Sequence, residues 1–114
     1  MEGKFAQQLK KGVLDMVVLK LISEKNTYGY QILKELENEG EGFFDLKEGT
    51  LYPVLYRLED QGWIESSWQA AEGRTAPKKY YKITEKGKAV LTEYCQTWEQ
   101  FAGCVNKMCR RGFK

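Results

Sequence analysis

With 114 residues, 42% of them hydrophobic and 30% charged, the chain has the length and balance of one water-soluble domain built around one core. Eighteen basic against sixteen acidic residues leave a formal charge of +2, too small for the total alone to speak for a polyanionic partner. Histidine is absent, which excludes Ser-His-Asp and Cys-His catalysis, histidine metal ligation and histidine proton switching together.

The longest apolar stretch, Val13 to Ile22, is about half of a membrane span and is interrupted by Asp15 and Lys20. No small-residue cleavage site follows it, so neither a membrane route nor secretion is expected and the chain reads as cytoplasmic. The same stretch lies in a helix over Leu9–Ser23 that is apolar on nearly every side, which suits burial by neighbours. Asn26 and Thr27 then offer N-cap oxygens to a second helix, in which Tyr28, Ile32, Leu33 and Leu36 recur at helical spacing until the Gly40 and Gly42 break. In Glu48–Gln61, Leu51, Val54, Leu55 and Leu58 stand at i, i+3, i+4 and i+7, and Gly62 supplies the stop. Pro53 cannot donate to the carbonyl of Gly49, so the first turn of this third helix is expected to be loose or locally 3₁₀.

After Gly62 the texture changes. Trp63, Ile64, Glu65, Ser66, Ser67 and Trp68 are rich in β-formers, and Lys79, Tyr80, Tyr81, Lys82 and Ile83 mix apolar with basic, predicting a two-stranded hairpin whose long tip spans Gln69 to Lys78. Thr84 caps a last helix that runs without proline from Glu85 to Arg111, roughly 40 Å at about 1.5 Å per residue, longer than the ~30 Å breadth of so small a domain. Leu91, Tyr94, Trp98, Phe101, Val105 and Met108 follow one another at spacings of 3, 4, 3, 4 and 3, the a/d seam of a coiled coil. A seam that outruns its own core calls for a second copy to cover it. The alternative is that it folds back on the first helix of the same chain.

Charge is unevenly distributed. Arg74, Lys78, Lys79, Lys82, Lys86 and Lys88 face the single acid Glu85 in one stretch, whereas Glu35 to Glu48 holds six acids and one lysine. Such asymmetry points to a basic face for nucleic acid, with a solvated lysine-rich edge as the ordinary alternative. Cys95, Cys104 and Cys109 match neither a zinc ribbon nor a redox pair and read as reduced thiols that pack near a helix face. No cofactor or metal is implied.

Three helices, a hairpin and a projecting helix make a mainly α protein with a small β-hairpin, the layout of a winged helix-turn-helix followed by a long C-terminal dimerisation helix. Residues 1–84 form the DNA-binding part and 85–114 the dimerisation helix of one structural unit. The third helix fits a major groove and the hairpin, as a wing, can lay cations along phosphates or into the minor groove. Lys47, Thr50, Tyr52, Tyr56 and Arg57 on the outward side of that helix, with Arg74, Lys78 and Lys79 on the wing, are the candidate contacts to DNA. Glu48, Glu59 and Asp60 leave the helix acidic overall, so affinity should rest on the wing and helix ends.

Gly12-Val13-Leu14-Asp15 entering an apolar helix, Tyr28-Gly29-Tyr30, Gly49-Thr50-Leu51-Tyr52-Pro53 with Leu55, Arg57, Leu58 and Glu59, then Gly62, and Lys79-Tyr80-Tyr81 with Thr84 and Gly87 occur in that order. The ordered set resembles the PadR family of transcriptional regulators across roughly residues 9 to 110, and the single long C-terminal helix resembles its short subfamily. That resemblance implies a homodimeric repressor on a palindromic operator of double-stranded DNA, with half-sites about one turn apart. It further implies a site for planar aromatic drugs at the dimer interface, where Trp98 stands at the position of a stacking tryptophan and Leu9, Met16, Ala102 and Val105 correspond to lining positions. Trp98 filling an a position and closing the interface is the plainer reading. Ala102 departs from the pattern by bringing no carboxylate for a cationic drug. A winged helix can also serve as a protein-docking module without DNA, while an enzyme has no paired acid, metal cluster or phosphate loop to work with.

Overall fold

The computed structural model describes residues 3–70, 73 and 76–112. Its elements are α1 (Lys4–Glu24), β1 (Thr27–Tyr28), α2 (Gly29–Glu39), α3 (Glu48–Asp60), β2 (Ile64–Gln69), β3 (Lys78–Ile83) and α4 (Glu85–Cys109). The arrangement is mainly helical with a small antiparallel sheet, a winged helix.

The core forms where the apolar stripes of these elements converge. Leu14, Val18, Leu19, Leu21 and Ile22 of α1 meet Ile32 and Leu36 of α2, Leu51, Val54, Leu55 and Leu58 of α3, Ile64 and Tyr81 of the sheet, and Leu91 of α4. Only the second half of α1 is engulfed. Its first turns carry Gln7, Gln8, Lys10 and Lys11, all good helix formers, and leave Phe5 72% and Leu9 46% exposed, so the helix extends beyond the expected start without core contacts there.

Thr27 and Tyr28 correct the sequence reading. Instead of capping α2, they form a strand that adds to the hairpin, with Thr27 opposite Tyr81 and Tyr28 opposite Tyr80, and the sheet runs β1-β3-β2. A β-branched and an aromatic residue suit that pleated edge. Thr27 is buried, its hydroxyl donates to Gln31 Oε1 at 3.0 Å, and α2 begins at Gly29 with Tyr28 as an N-cap that makes no side-chain bond.

α3 is helical throughout Glu48–Asp60 despite Pro53. Its first turn mixes bond types away from Pro53: the Thr50 and Leu51 amides both donate to the Lys47 carbonyl, one closing a 3₁₀ and one an α turn. At the other end Gly62 adopts φ +78°, the Trp63 amide donates to Leu58 and the Gly62 amide to Glu59, the paired bonds of a Schellman stop. β2 and β3 then pair from Ile64↔Ile83 to Gln69↔Lys78.

Thr84 caps α4 as its position foretold: its hydroxyl accepts from the Gly87 amide at 3.0 Å and donates to the Gly62 carbonyl at 2.6 Å. Leu91 sinks into the core and the Tyr94 and Trp63 rings meet at right angles with a centroid distance of 5.7 Å. Beyond them α4 leaves the body, with Trp98, Phe101, Val105 and Met108 all exposed. The chain measures 65 × 34 × 20 Å with a radius of gyration of 16.5 Å, against about 13 Å for a compact domain of this length. No helix among the described residues is long and apolar enough to cross a membrane.

Candidate nucleic-acid interface

The core stripe of α3 fixes which of its residues face away. At about 100° per residue, the side opposite Leu51, Val54, Leu55 and Leu58 centres on Gly49, Pro53, Tyr56 and Asp60. Tyr56 therefore stands in the middle of the free face, 55% exposed. Lys47 and Thr50 are exposed at the start of the helix, beside amides that the first turn leaves without α-type partners. Tyr52 lies on a flank, half-buried, its ring against Gly29 so closely that a β-carbon there would overlap the hydroxyl. Burial first, and then Glu48 and Tyr56, hold the Tyr52 phenol above its ordinary range.

Arg57 sits on the opposite flank and points back to the body. Its Nε donates to Asp15 Oδ2 at 3.0 Å and an Nη to Asp15 Oδ1 at 2.6 Å, a bidentate clasp between α3 and α1 that raises the guanidinium pKa further. The residue grouped with the outward face by sequence thus makes its strong contacts inside the chain.

The wing approaches α3 from the Tyr52 side. Strand alternation puts Ser66, Trp68, Lys79 and Tyr81 on the face turned to α3, and Ser67, Lys78 and Tyr80 on the other. Ser66 Oγ donates to Glu59 Oε2 at 2.6 Å, and Lys79 Nζ lies 3.9 Å from Glu59 Oε1. The Lys79 ammonium also lies 5.9 Å from the ring centre of Tyr56 and 5.7 Å from that of Tyr81. Lys78 is exposed and stands over the Tyr28 ring at 4.6 Å, beside the Tyr28–Tyr80 pair. Arg74, also expected on the wing, lies outside the described residues.

Lys47, Thr50 and Tyr56 are therefore exposed on or beside α3 and Lys78 is exposed on the other face of the wing, whereas Arg57 and Lys79 are each engaged by a carboxylate. Sequence reasoning passed over Tyr30 near the start of α2, 59% exposed, and Trp68 on the wing, 69% exposed. Trp68 registers opposite Lys79 and extends the α3-facing side of the sheet past the end of its packing. Its signal is a large aromatic among the β-formers that end at the wing tip.

A second feature lies between α1 and α4. A groove of about 770 Å³ is lined by Leu9 and Met16 from α1 and Trp98 from α4, with Tyr94, Phe101, Asp15 and Arg57 also on its wall. Ala102 and Val105, expected with them, are not among its lining residues. Cys95 is half-buried, Cys104 and Cys109 are exposed, and no cluster of three or more metal-ligating side chains occurs among the described residues.

A model of the transcriptional regulator PadR-like family matches residues 18–93. A solved PadR family transcriptional regulator from Eggerthella lenta superposes with a TM-score of 0.82 at 33% identity, over 95% of this chain and 91% of that one. A transcriptional regulator of Mycobacterium tuberculosis is 28% identical over 84% of this chain and 85% of its own. The negative transcriptional regulator PadR of Bacillus subtilis is 30% identical over 72% of this chain and 44% of its own length.

Proposed function

The chain belongs to the PadR-like family of transcriptional regulators, DNA-binding proteins rather than enzymes, and from that premise we propose that it is a cytoplasmic, homodimeric repressor of a palindromic operator. Residues 1–84 act as the reading head and 85–114 as the dimerising arm. The observation that carries this reading is the free face of α3: Tyr56 at its centre and Lys47 and Thr50 at its start, flanked by a wing that offers Lys78. The helix enters a major groove while Lys47 and Lys78 take phosphates on either side. Repression is supported by the negative regulator of Bacillus subtilis, and dimerisation by the exposed α4 seam from Trp98 to Met108.

A planar aromatic small molecule is the effector this reading favours, because the groove beside Trp98 offers a stacking face among Leu9, Met16, Tyr94 and Phe101. Arg57 brings the recognition helix itself to the wall of that groove, so an occupant that disturbs the Asp15 clasp acts on α3 directly. Tightening and release of DNA are both open to such a device.

Fluorescence anisotropy of labelled duplex DNA against salt tests the regulator. Binding that weakens by orders of magnitude between about 50 and 200 mM salt is expected, with a slope that Lys78→Ala reduces by about 0.9. A flat salt response would favour a docking module that meets protein through the acids of α3.

A further inference from the structure

Glu59 is an acid on a helix meant for a polyanion, and both of its oxygens are used. One accepts from Ser66 of β2, the other faces Lys79 of β3 at 3.9 Å, so a single α3 side chain ties down both strands of the wing. Lys79 is further enclosed by the Tyr56 and Tyr81 rings, and its side chain is 29% exposed. Its neighbour Lys78, on the opposite face of the strand, is exposed and meets no carboxylate at ion-pair distance among the described residues. For Lys79 to take a phosphate it must leave a carboxylate and two aromatic faces, an exchange of like for like; Lys78, exposed over the Tyr28 ring at 4.6 Å, gives up no carboxylate.

We propose that Glu59 is a specificity-setting positioning residue: it holds Lys79 off the phosphates and pins the wing to the recognition helix, so that the pose of the wing, rather than its full charge, meets DNA. This rests on the DNA-binding reading above. Phosphate contacts carry no sequence information, and every cation released to them strengthens wrong sites as much as right ones. Withholding one is a way of discriminating by weakening the alternatives. The repulsion between Glu59 and the duplex acts in the same direction but does not depend on Lys79, which makes the two separable.

The probe is a mixed-sequence labelled duplex, titrated by anisotropy between about 50 and 200 mM salt. With Lys79 withheld, Lys79→Gln leaves the salt slope of the wild type unchanged. Glu59→Gln, which keeps an acceptor for Ser66, tightens binding and steepens the slope by about 0.9, roughly a further threefold to fourfold loss of affinity across that salt range. E59Q combined with K79Q returns to the wild-type slope. In parallel, the Lys79 ammonium resonance of the wild type stays in place when the duplex is added while that of Lys78 moves, a readout that needs no variant to fold. A slope reduced by K79Q alone, an unchanged slope in E59Q, a steeper slope that survives in the double variant, or movement of both ammonium resonances overturns the assignment. A wild type that binds no duplex at any salt overturns the regulator reading itself, and with it this role of Glu59.

Discussion

Tyr81 anchors the wing, 1% exposed against α3, and its hydroxyl meets no hydrogen-bond partner among the described residues. Burial, aided by Glu59, Tyr52 and Tyr56, pushes its phenol up to about 12. The unfolded phenol ionises near 10, so the folded chain keeps a proton that the unfolded chain has lost. This contribution to stability is complete below the unfolded value and disappears as pH climbs through the folded one, on the order of 2–3 kcal/mol in total. Tyr81→Phe removes an oxygen that makes no bond, and is expected to leave neutral-pH stability unchanged or raised by up to about 1 kcal/mol. Urea unfolding should also show a shallower decline between about pH 10 and 12 than the wild type. A variant destabilised at pH 7 by more than about 1 kcal/mol would mean that the hydroxyl has a partner in solution.

In the first turn of α4, Gly87 has no room for a side chain: a β-carbon would overlap the Trp63 carbonyl oxygen and come within 2.8 Å of Ile83 Cγ1. The Trp63 oxygen also accepts from the Thr84 amide at 3.0 Å, so it is not free to retreat. Gly87→Ala should therefore cost about 2–3 kcal/mol by overpacking, on the order of 10 °C in melting temperature. A melting curve within about 2 °C of wild type would show that the helix start is not held so closely. The helices themselves were legible in the sequence because each carries its own periodic apolar stripe, and the Thr84 cap and Gly62 stop are local chemistry. β1 was not: two residues have no period, and Thr27 finds its partner Tyr81 far along the chain. The same holds in the candidate site. Lys47, Thr50 and Tyr56 follow from helical geometry, but the engagement of Arg57 by Asp15 spans 42 residues and that of Lys79 by Glu59 joins two elements, so no spacing rule reveals either.

Across the whole molecule, the 65 Å length comes from a helix whose apolar seam stays exposed from Trp98 to Met108 among the described residues. Two copies joined there would hide Trp98, Phe101, Val105 and Met108 and hold two α3 helices at one separation. Phe101→Glu puts a carboxylate into that seam from each copy, and sedimentation should show dimers giving way to monomers at micromolar concentration; a dimer unaffected by the change would place the contact elsewhere. Such pairing of reading heads would also leave its imprint on the DNA. Repeated selection from a random duplex pool measures this most directly: the account predicts enrichment of an inverted repeat with half-site centres about 10 base pairs apart. Enrichment of a single asymmetric site, or of none, would contradict it.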